Sequence, residues 1–165
     1  MLGLAIALGA LTWLALLIAA PAGPSILATL TYAVGAIVCH QIPERSFHVA
    51  GFQLPVCARC LGIYAGFAMT ASFTAAMGSR LASRSGQFTA RAARRAFIVG
   101  ATPTAVTLAL EWSGVWRGTN IVRAMAGLAL GSGVAFVVMS AAATLHYNRC
   151  ERRRPTGPSR LRPPI

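Results

Sequence analysis

The chain has 165 residues, of which 56% are hydrophobic and only 11% charged. A soluble domain carries about 25% charged residues, so this composition argues against a soluble globular protein. The net charge of +12 rests on Arg alone, since the chain holds no Lys and no Asp. In a soluble protein that balance would point to nucleic acid. Here the arginines fall between and after long apolar blocks, which fits membrane topology and attraction to anionic headgroups. The expected partner is the lipid bilayer, and nucleic acid is not expected.

A transmembrane helix needs ~20 mostly apolar residues to cross a hydrocarbon core of ~30 Å. Five blocks approach that length: residues 2–20, 25–39, 56–78, 96–112 and 121–146. The first lacks the basic segment that opens a secretory signal, although Ala19-Ala20-Pro21-Ala22 resembles a cleavage region. It is expected to remain as a helix. The second block is the shortest. The third begins near Pro55, a residue that suits the first turn of a helix, and this reading puts Cys57 in that turn. There the helix dipole favours a thiolate.

Arginine placement predicts the orientation. Residues 79–95, between the third and fourth blocks, carry Arg80, Arg84, Arg91, Arg94 and Arg95 with no acid. The tail carries Arg149, Arg152, Arg153, Arg154, Arg160 and Arg162 against Glu151. Both segments are expected in the cytoplasm. Residues 39–55 and 113–120 then face outside, and five spans would put the N-terminus outside as well. Residues 1–150 read as one transmembrane helical domain. Residues 151–165, rich in Pro and Arg, read as a disordered basic cytoplasmic tail.

Helical spacing gathers polar residues into stripes. These are Tyr32, Gly35 and Cys39; Cys57, Cys60 and Tyr64; Thr104, Thr107 and Glu111; and Asn120, Arg123, Gly127 and Gly131. Each stripe has its most polar member at the outward end of its block. Ionisable residues at a membrane segment are costly and face a bundle interior or a water-filled cavity. A salt bridge between Glu111 and Arg123 is therefore expected, within an outward-facing polar pocket. The bland alternative is that Glu111–Arg123 and Glu44–Arg45 only pin helix ends. Gly62-x-x-x-Gly66 and Gly127-x-x-x-Gly131 read as close helix packing.

Cys39, Cys57 and Cys60 fall on the outward side, and Cys150 falls in the tail. The leading reading is a metal site, zinc above all, because C-x-x-C is the usual zinc half-site. Cys39 with His40 or His48 would complete it. Thiol–disulfide chemistry comes second, since C-x-x-C is also a redox spacing and Cys39 could act as the resolving thiol. A structural disulfide comes third. His146 lies at the opposite membrane face and reads as interfacial.

The string Cys39-His40-Gln41-Ile42-Pro43-Glu44-Arg45-Ser46-Phe47, followed by Pro55-Val56-Cys57-Ala58-Arg59-Cys60-Leu61-Gly62-Ile63-Tyr64-Ala65-Gly66, resembles a known family. It is similar to the small prokaryotic membrane proteins grouped as domain of unknown function 2085, whose pattern reads CHQ-x-P-x-RSF and then PVCARC-x-G-I-Y-x-G. That family also carries an acid before a later Arg-x-x-x-Gly-x-x-x-Gly, matched here by Glu111, Arg123, Gly127 and Gly131. This chain has Glu111-Trp112 where the family often has Asp-Gly. The resemblance spans roughly residues 30–135 and implies a multi-span fold and a role for the Cys/His/Arg cluster. It implies no activity.

The expected fold is an all-α transmembrane bundle of four to five helices in the cell membrane. The expected site is an outward-facing metal centre of Cys39, His40, Cys57 and Cys60. A surrounding polar set comprises Gln41, Glu44, Arg45, Ser46, Arg59, Tyr64, Glu111, Asn120 and Arg123. The runner-up is a membrane thiol–disulfide oxidoreductase. A third, non-enzymatic class binds lipid headgroups or small anions through Arg45, Arg59, Arg117 and Arg123. The pattern leaves room for a homo-oligomer and names no other protein partner.

Overall fold

A computed structural model describes residues 2–22, 26–81 and 90–152; side chains are described except at 78–81, 90 and 146–152. Five helices carry the chain: α1 (Leu2–Ala19), α2 (Ile26–Val38), α3 (Ala58–Leu81), α4 (Ala90–Trp112) and α5 (Asn120–Arg152). Between α2 and α3 lies an antiparallel hairpin of β1 (Ser46–Val49) and β2 (Phe52–Cys57). Three segments are long and apolar enough to cross a membrane: Leu2–Ala22, Ala58–Met77 and Asn120–Leu145. α4 runs beside α5 over the same height. Thr104 Oγ1 donates to the Ala126 carbonyl at 2.7 Å, and further down Gly100 lies against Ala129.

The centre of the bundle is the α3–α5 contact. A β-carbon on Gly62 or Gly66 would collide with the Ala124 or Leu128 carbonyl. A β-carbon on Gly127 or Gly131 would collide with the Arg59 or Ile63 carbonyl. The two glycine pairs therefore read each other's backbones. Lipid tails are as apolar as Leu, so helices in a bilayer gain from such close packing rather than from leaving water. The expected packing role of both spacings is what the backbones show.

α1 lies on the other side of α3. Near its end, Leu17 packs with Cys39 and Val56, and Trp13 meets Tyr64 edge-on at 6.1 Å. Near its start, Ala7 packs with Ala71 and Met139. α1 thus climbs toward the cysteines while α3 and α5 descend from them. α2 makes no second descent. It has 13 residues, about 20 Å at 1.5 Å per residue, which is short of a hydrocarbon core of ~30 Å. Its start at Ile26 is separated by three residues from the turn Ala20–Ala22 that ends α1, and its end at Cys39 returns to Leu17. It caps the cysteine end with Thr31 and Gly35 inward and Ile26, Leu30 and Ile37 exposed. This overturns the expected N-terminus on the cysteine side. Four helices run the height of the bundle, so Leu2 lies at the opposite end.

Residues 39–55 are not a plain loop. Ala50 and Gly51, at φ 52° and 83°, form the two-residue turn. Positive φ at both positions is the geometry whose twist matches a hairpin. The register is regular at Val49↔Phe52 and His48↔Gln53, then slips before Ser46↔Cys57, with β2 carrying the extra residues. Pro55 falls in that slipped stretch, where its missing N–H costs no ladder bond. Pro55 and Cys57 therefore belong to β2, and α3 opens one residue after Cys57 rather than before it.

The basic segment 79–95 is also shorter as a connection than expected. α3 runs to Leu81 and α4 starts at Ala90, so Arg91, Arg94 and Arg95 lie on the first turns of α4. Residues 82–89, including Arg84, and residues 153–165 of the expected disordered tail lie outside the described residues. α5 extends two residues into that tail, to Arg152. The side chains of His146 and Cys150 are not described.

Single cysteines at Leu2, Ser85 and Ser113 in a background without native cysteines test this arrangement. An impermeant thiol reagent applied to intact cells should label Ser113→Cys and spare both Leu2→Cys and Ser85→Cys. Labelling of Leu2→Cys together with Ser113→Cys would restore five spans.

Candidate functional site

Two polar clusters form at the cysteine end, on different faces of α3. The first is built from three separate elements. Cys39 follows α2 and continues its ladder, its N–H reaching the Gly35 carbonyl at 2.9 Å. Cys57 ends β2, and Cys60 sits in the first turn of α3. The Cys57 N–H donates to Cys39 Sγ at 3.2 Å. All three are free thiols, and the three sulfurs lie within 4.8 Å of one another. A tetrahedral zinc with Zn–S near 2.3 Å needs sulfurs about 3.8 Å apart, so a small contraction would close the set on one ion.

Cys57 stands where the N-cap of α3 belongs. A hydrogen bond from the Cys60 thiol is the main force drawing its pKa down to about 5. The backbone N–H groups of Cys60 and Arg59 and the Cys39 side chain act in the same direction, against the burial that favours the neutral thiol. These contacts favour the thiolate at Cys57, the form that a metal ligand or a nucleophile needs. Leu17, Val56, Trp13, Leu61 and Tyr64 wall the cluster.

Among the described residues, only these three are close enough together to share an ion. His40 is exposed beside Cys39, His48 is exposed on β1, and neither joins the set. Gln41 and Ser46 belong to a hydrogen-bonded brace. The Gln41 amide donates to the Tyr32 carbonyl at 3.0 Å and the Pro55 carbonyl at 2.8 Å. Gln53 Nε2 returns to the Gln41 carbonyl at 2.6 Å and to Ser46 Oγ at 3.2 Å. Gln41 holds φ at 48°, an uncommon value for a residue with a side chain. The brace ties the end of α2 to β2 and so keeps Cys39 beside Cys57. Glu44 and Arg45 are exposed on the turn Pro43–Arg45, with no ion pair between them among the described residues.

The second cluster lies between α3, α4 and α5. Glu111 Oε1 accepts from Arg123 Nε at 2.9 Å and from Arg59 Nη2 at 3.4 Å. The side chains of Glu111, Arg123 and Arg59 are only 5%, 10% and 14% exposed. Asn120 Oδ1 accepts from Arg123 Nη1 at 3.1 Å, while Asn120 Nδ2 donates to the Ser46 carbonyl at 3.1 Å. Thr107 Oγ1 accepts from Arg59 at 3.3 Å. The expected Glu111–Arg123 pair is present, with Arg59 as a second cation on the same carboxylate. The two clusters share one depth but not one pocket, because residues 59 and 60 point about 100° apart on a helix.

Trp13, Gln53 and Thr107 hold the site, and the first two were not expected there. Trp13 and Gln53 gave no periodic signal linking them to the cysteines. Thr107 did, through its stripe with Glu111.

This arrangement defines a polytopic helical membrane bundle whose cysteine end is closed by a short helix and a cysteine-bearing hairpin. The chain belongs to the family described as "Predicted membrane protein (DUF2085)", which matches residues 39–137 and so takes in both clusters. An uncharacterised protein of Methanothermobacter thermautotrophicus is 33% identical over 98 residues, covering 59% of this chain and 81% of the relative. An uncharacterised protein of Methanocaldococcus jannaschii is 57% identical over 35 residues, which is 21% of this chain and 22% of that protein's length. No solved structure matches.

Glu111 compensates two guanidinium groups, so Glu111→Gln should cost at least as much stability as Arg123→Gln. Breaking one side of a buried pair costs ~3–5 kcal/mol. Thermal unfolding in detergent should show the double variant destabilised by less than the sum of the single ones; strict additivity would separate the two residues.

Cys57 should alkylate with iodoacetamide at a rate nearly constant from about pH 8 down to about pH 6, because its thiolate persists above its lowered pKa. The rate should fall only as pH drops through about 5. A fall already complete by pH 7 would mean an ordinary thiol.

Proposed function

We propose that Cys39, Cys57 and Cys60 bind one zinc ion at the outer face of the cell membrane. The supporting observation is the convergence of three sulfurs, from three separate elements, to within 4.8 Å. Three soft ligands suit zinc over magnesium or calcium, which take oxygen. The outer placement follows from the positive-inside rule, since the end of α3 and the start of α4, which carry Arg80, Arg91, Arg94 and Arg95, lie away from the cysteines. The protein offers three clustered ligands, so the fourth position falls to His40, whose exposed side chain can turn toward Cys39, or to water. Water would leave the open position of a catalytic zinc; His40 would make the site structural.

A thiol–disulfide oxidoreductase is the second reading, favoured by one feature. A thiolate at the start of a helix, three residues before a second thiol, is also the arrangement of a redox pair.

Protein purified without chelator should carry about one zinc per chain with no disulfide among the three. Cys39→Ser, Cys57→Ser or Cys60→Ser should each remove most of the zinc, while Cys150→Ser should not. Loss of zinc in His40→Ala would place the imidazole at the fourth position. Metal-free protein with a Cys57–Cys60 or Cys39–Cys57 disulfide that a mild reductant opens would replace the zinc reading with the redox one.

A further inference from the structure

The second cluster carries an unbalanced charge. Two guanidinium groups meet one carboxylate, both through the same oxygen, in a site where all three side chains are 14% exposed or less. Arg59 Nε is buried and has no hydrogen-bond partner. The chain has only three acidic residues. Glu44 lies exposed on the turn Pro43–Arg45, and Glu151 lies near the far end of α5. Neither is in position to neutralise the excess. An uncompensated buried charge at a membrane segment is costly, and the Cys57 sulfur belongs to the separate cysteine cluster, so an anion from outside the chain would relieve the excess here.

The depth of the cluster points to its source. Trp112 is 82% exposed on the turn of α4 that also carries Glu111, and Trp116 follows on the connection to α5. Exposed Trp side chains sit at the headgroup level of a bilayer. Arg117 is exposed on the same connection. The Trp116 ring lies against Gly118, which in turn approaches Glu111 Oε1, so this connection forms a roof over the ion pairs.

We propose that Arg59 and Arg123, bridged by Glu111, bind the phosphate group of an anionic membrane lipid. The free Nε–H of Arg59 supplies a donor. Arg is suited to this because its planar fork matches phosphate geometry, whereas Lys offers only a point charge. Glu111 keeps the two guanidinium groups apart from each other's repulsion and leaves one net positive charge for a phosphodiester, which carries one negative charge. The site is separate from the cysteine cluster and does not require metal.

Native mass spectrometry of the full chain in detergent reads this directly. Phosphatidylglycerol, phosphatidylcholine of equal chain length and inorganic phosphate are the three probes. One phosphatidylglycerol should be retained per chain, at an affinity about tenfold or more above phosphatidylcholine. Arg59→Lys keeps a cation beside Glu111 and so preserves the fold, yet it should weaken phosphatidylglycerol by about tenfold because the fork is lost. Arg91→Gln, exposed on the first turn of α4 at the opposite end of the bundle, should leave retention unchanged. Competition by millimolar inorganic phosphate with the same Arg59 dependence would keep the anion site but overturn the lipid as its source. Equal retention of both lipids, unchanged in Arg59→Lys, would overturn the proposal.

Discussion

Everything at the cysteine end hangs on the closeness of α3 and α5. Four glycines, two on each helix, set each backbone against the carbonyls of the other. An added methyl at any of them has nowhere to go, because the atom it meets is backbone rather than a flexible side chain. Overpacking of this kind costs ~1–3 kcal/mol where the structure can shift, and more where it cannot. The contact also fixes the rotation of α3. With Gly62 and Gly66 turned to α5, Arg59 points toward α4 and α5, and Cys60 and Tyr64 point toward α1. One packing constraint thus assigns the ion pairs and the thiols to separate compartments.

The hairpin makes this constraint useful to the thiols. Cys39 and Cys57 are brought together by the Gln41 brace and by the approach of Gly35 to the Pro55 carbonyl. Neither sulfur would be placed by a helix alone. Asn120 joins the two compartments mechanically, holding Arg123 with its oxygen and the hairpin at Ser46 with its nitrogen. Polar side chains in such a low-dielectric setting are costly when unmatched and rigidifying when matched. The bracing amides of Gln41, Gln53 and Asn120 fall in the second class, whereas Arg59 Nε remains in the first.

The membrane-spanning character, the helical fold, the glycine contacts and the Glu111–Arg123 pair were legible from residue order. Each depends on local periodicity or on apolar length, and the bilayer makes both strict: a span must satisfy its own backbone and must be long enough. The stripes of Thr104, Thr107 and Glu111, and of Asn120, Arg123 and Gly127, survive in the folded chain for the same reason. Helical geometry puts residues three and four apart on one face whatever lies opposite.

Residues 25–39 show where that legibility ends. Apolar content alone does not distinguish a short span from a helix lying across the bundle end, and the return of Cys39 to Leu17 is a contact between elements distant in sequence. The hairpin was hidden because its register slips and Pro55 interrupts it, so no clean alternation marks the strands. Sequence by itself determined the class of protein and the chemistry available at one end. Tertiary structure decided which residues share a site. It separated Arg59 from Cys60, left His40 exposed and set Arg59 as a second cation on Glu111, because those relations depend on the rotation and approach of whole helices rather than on spacing along any one of them.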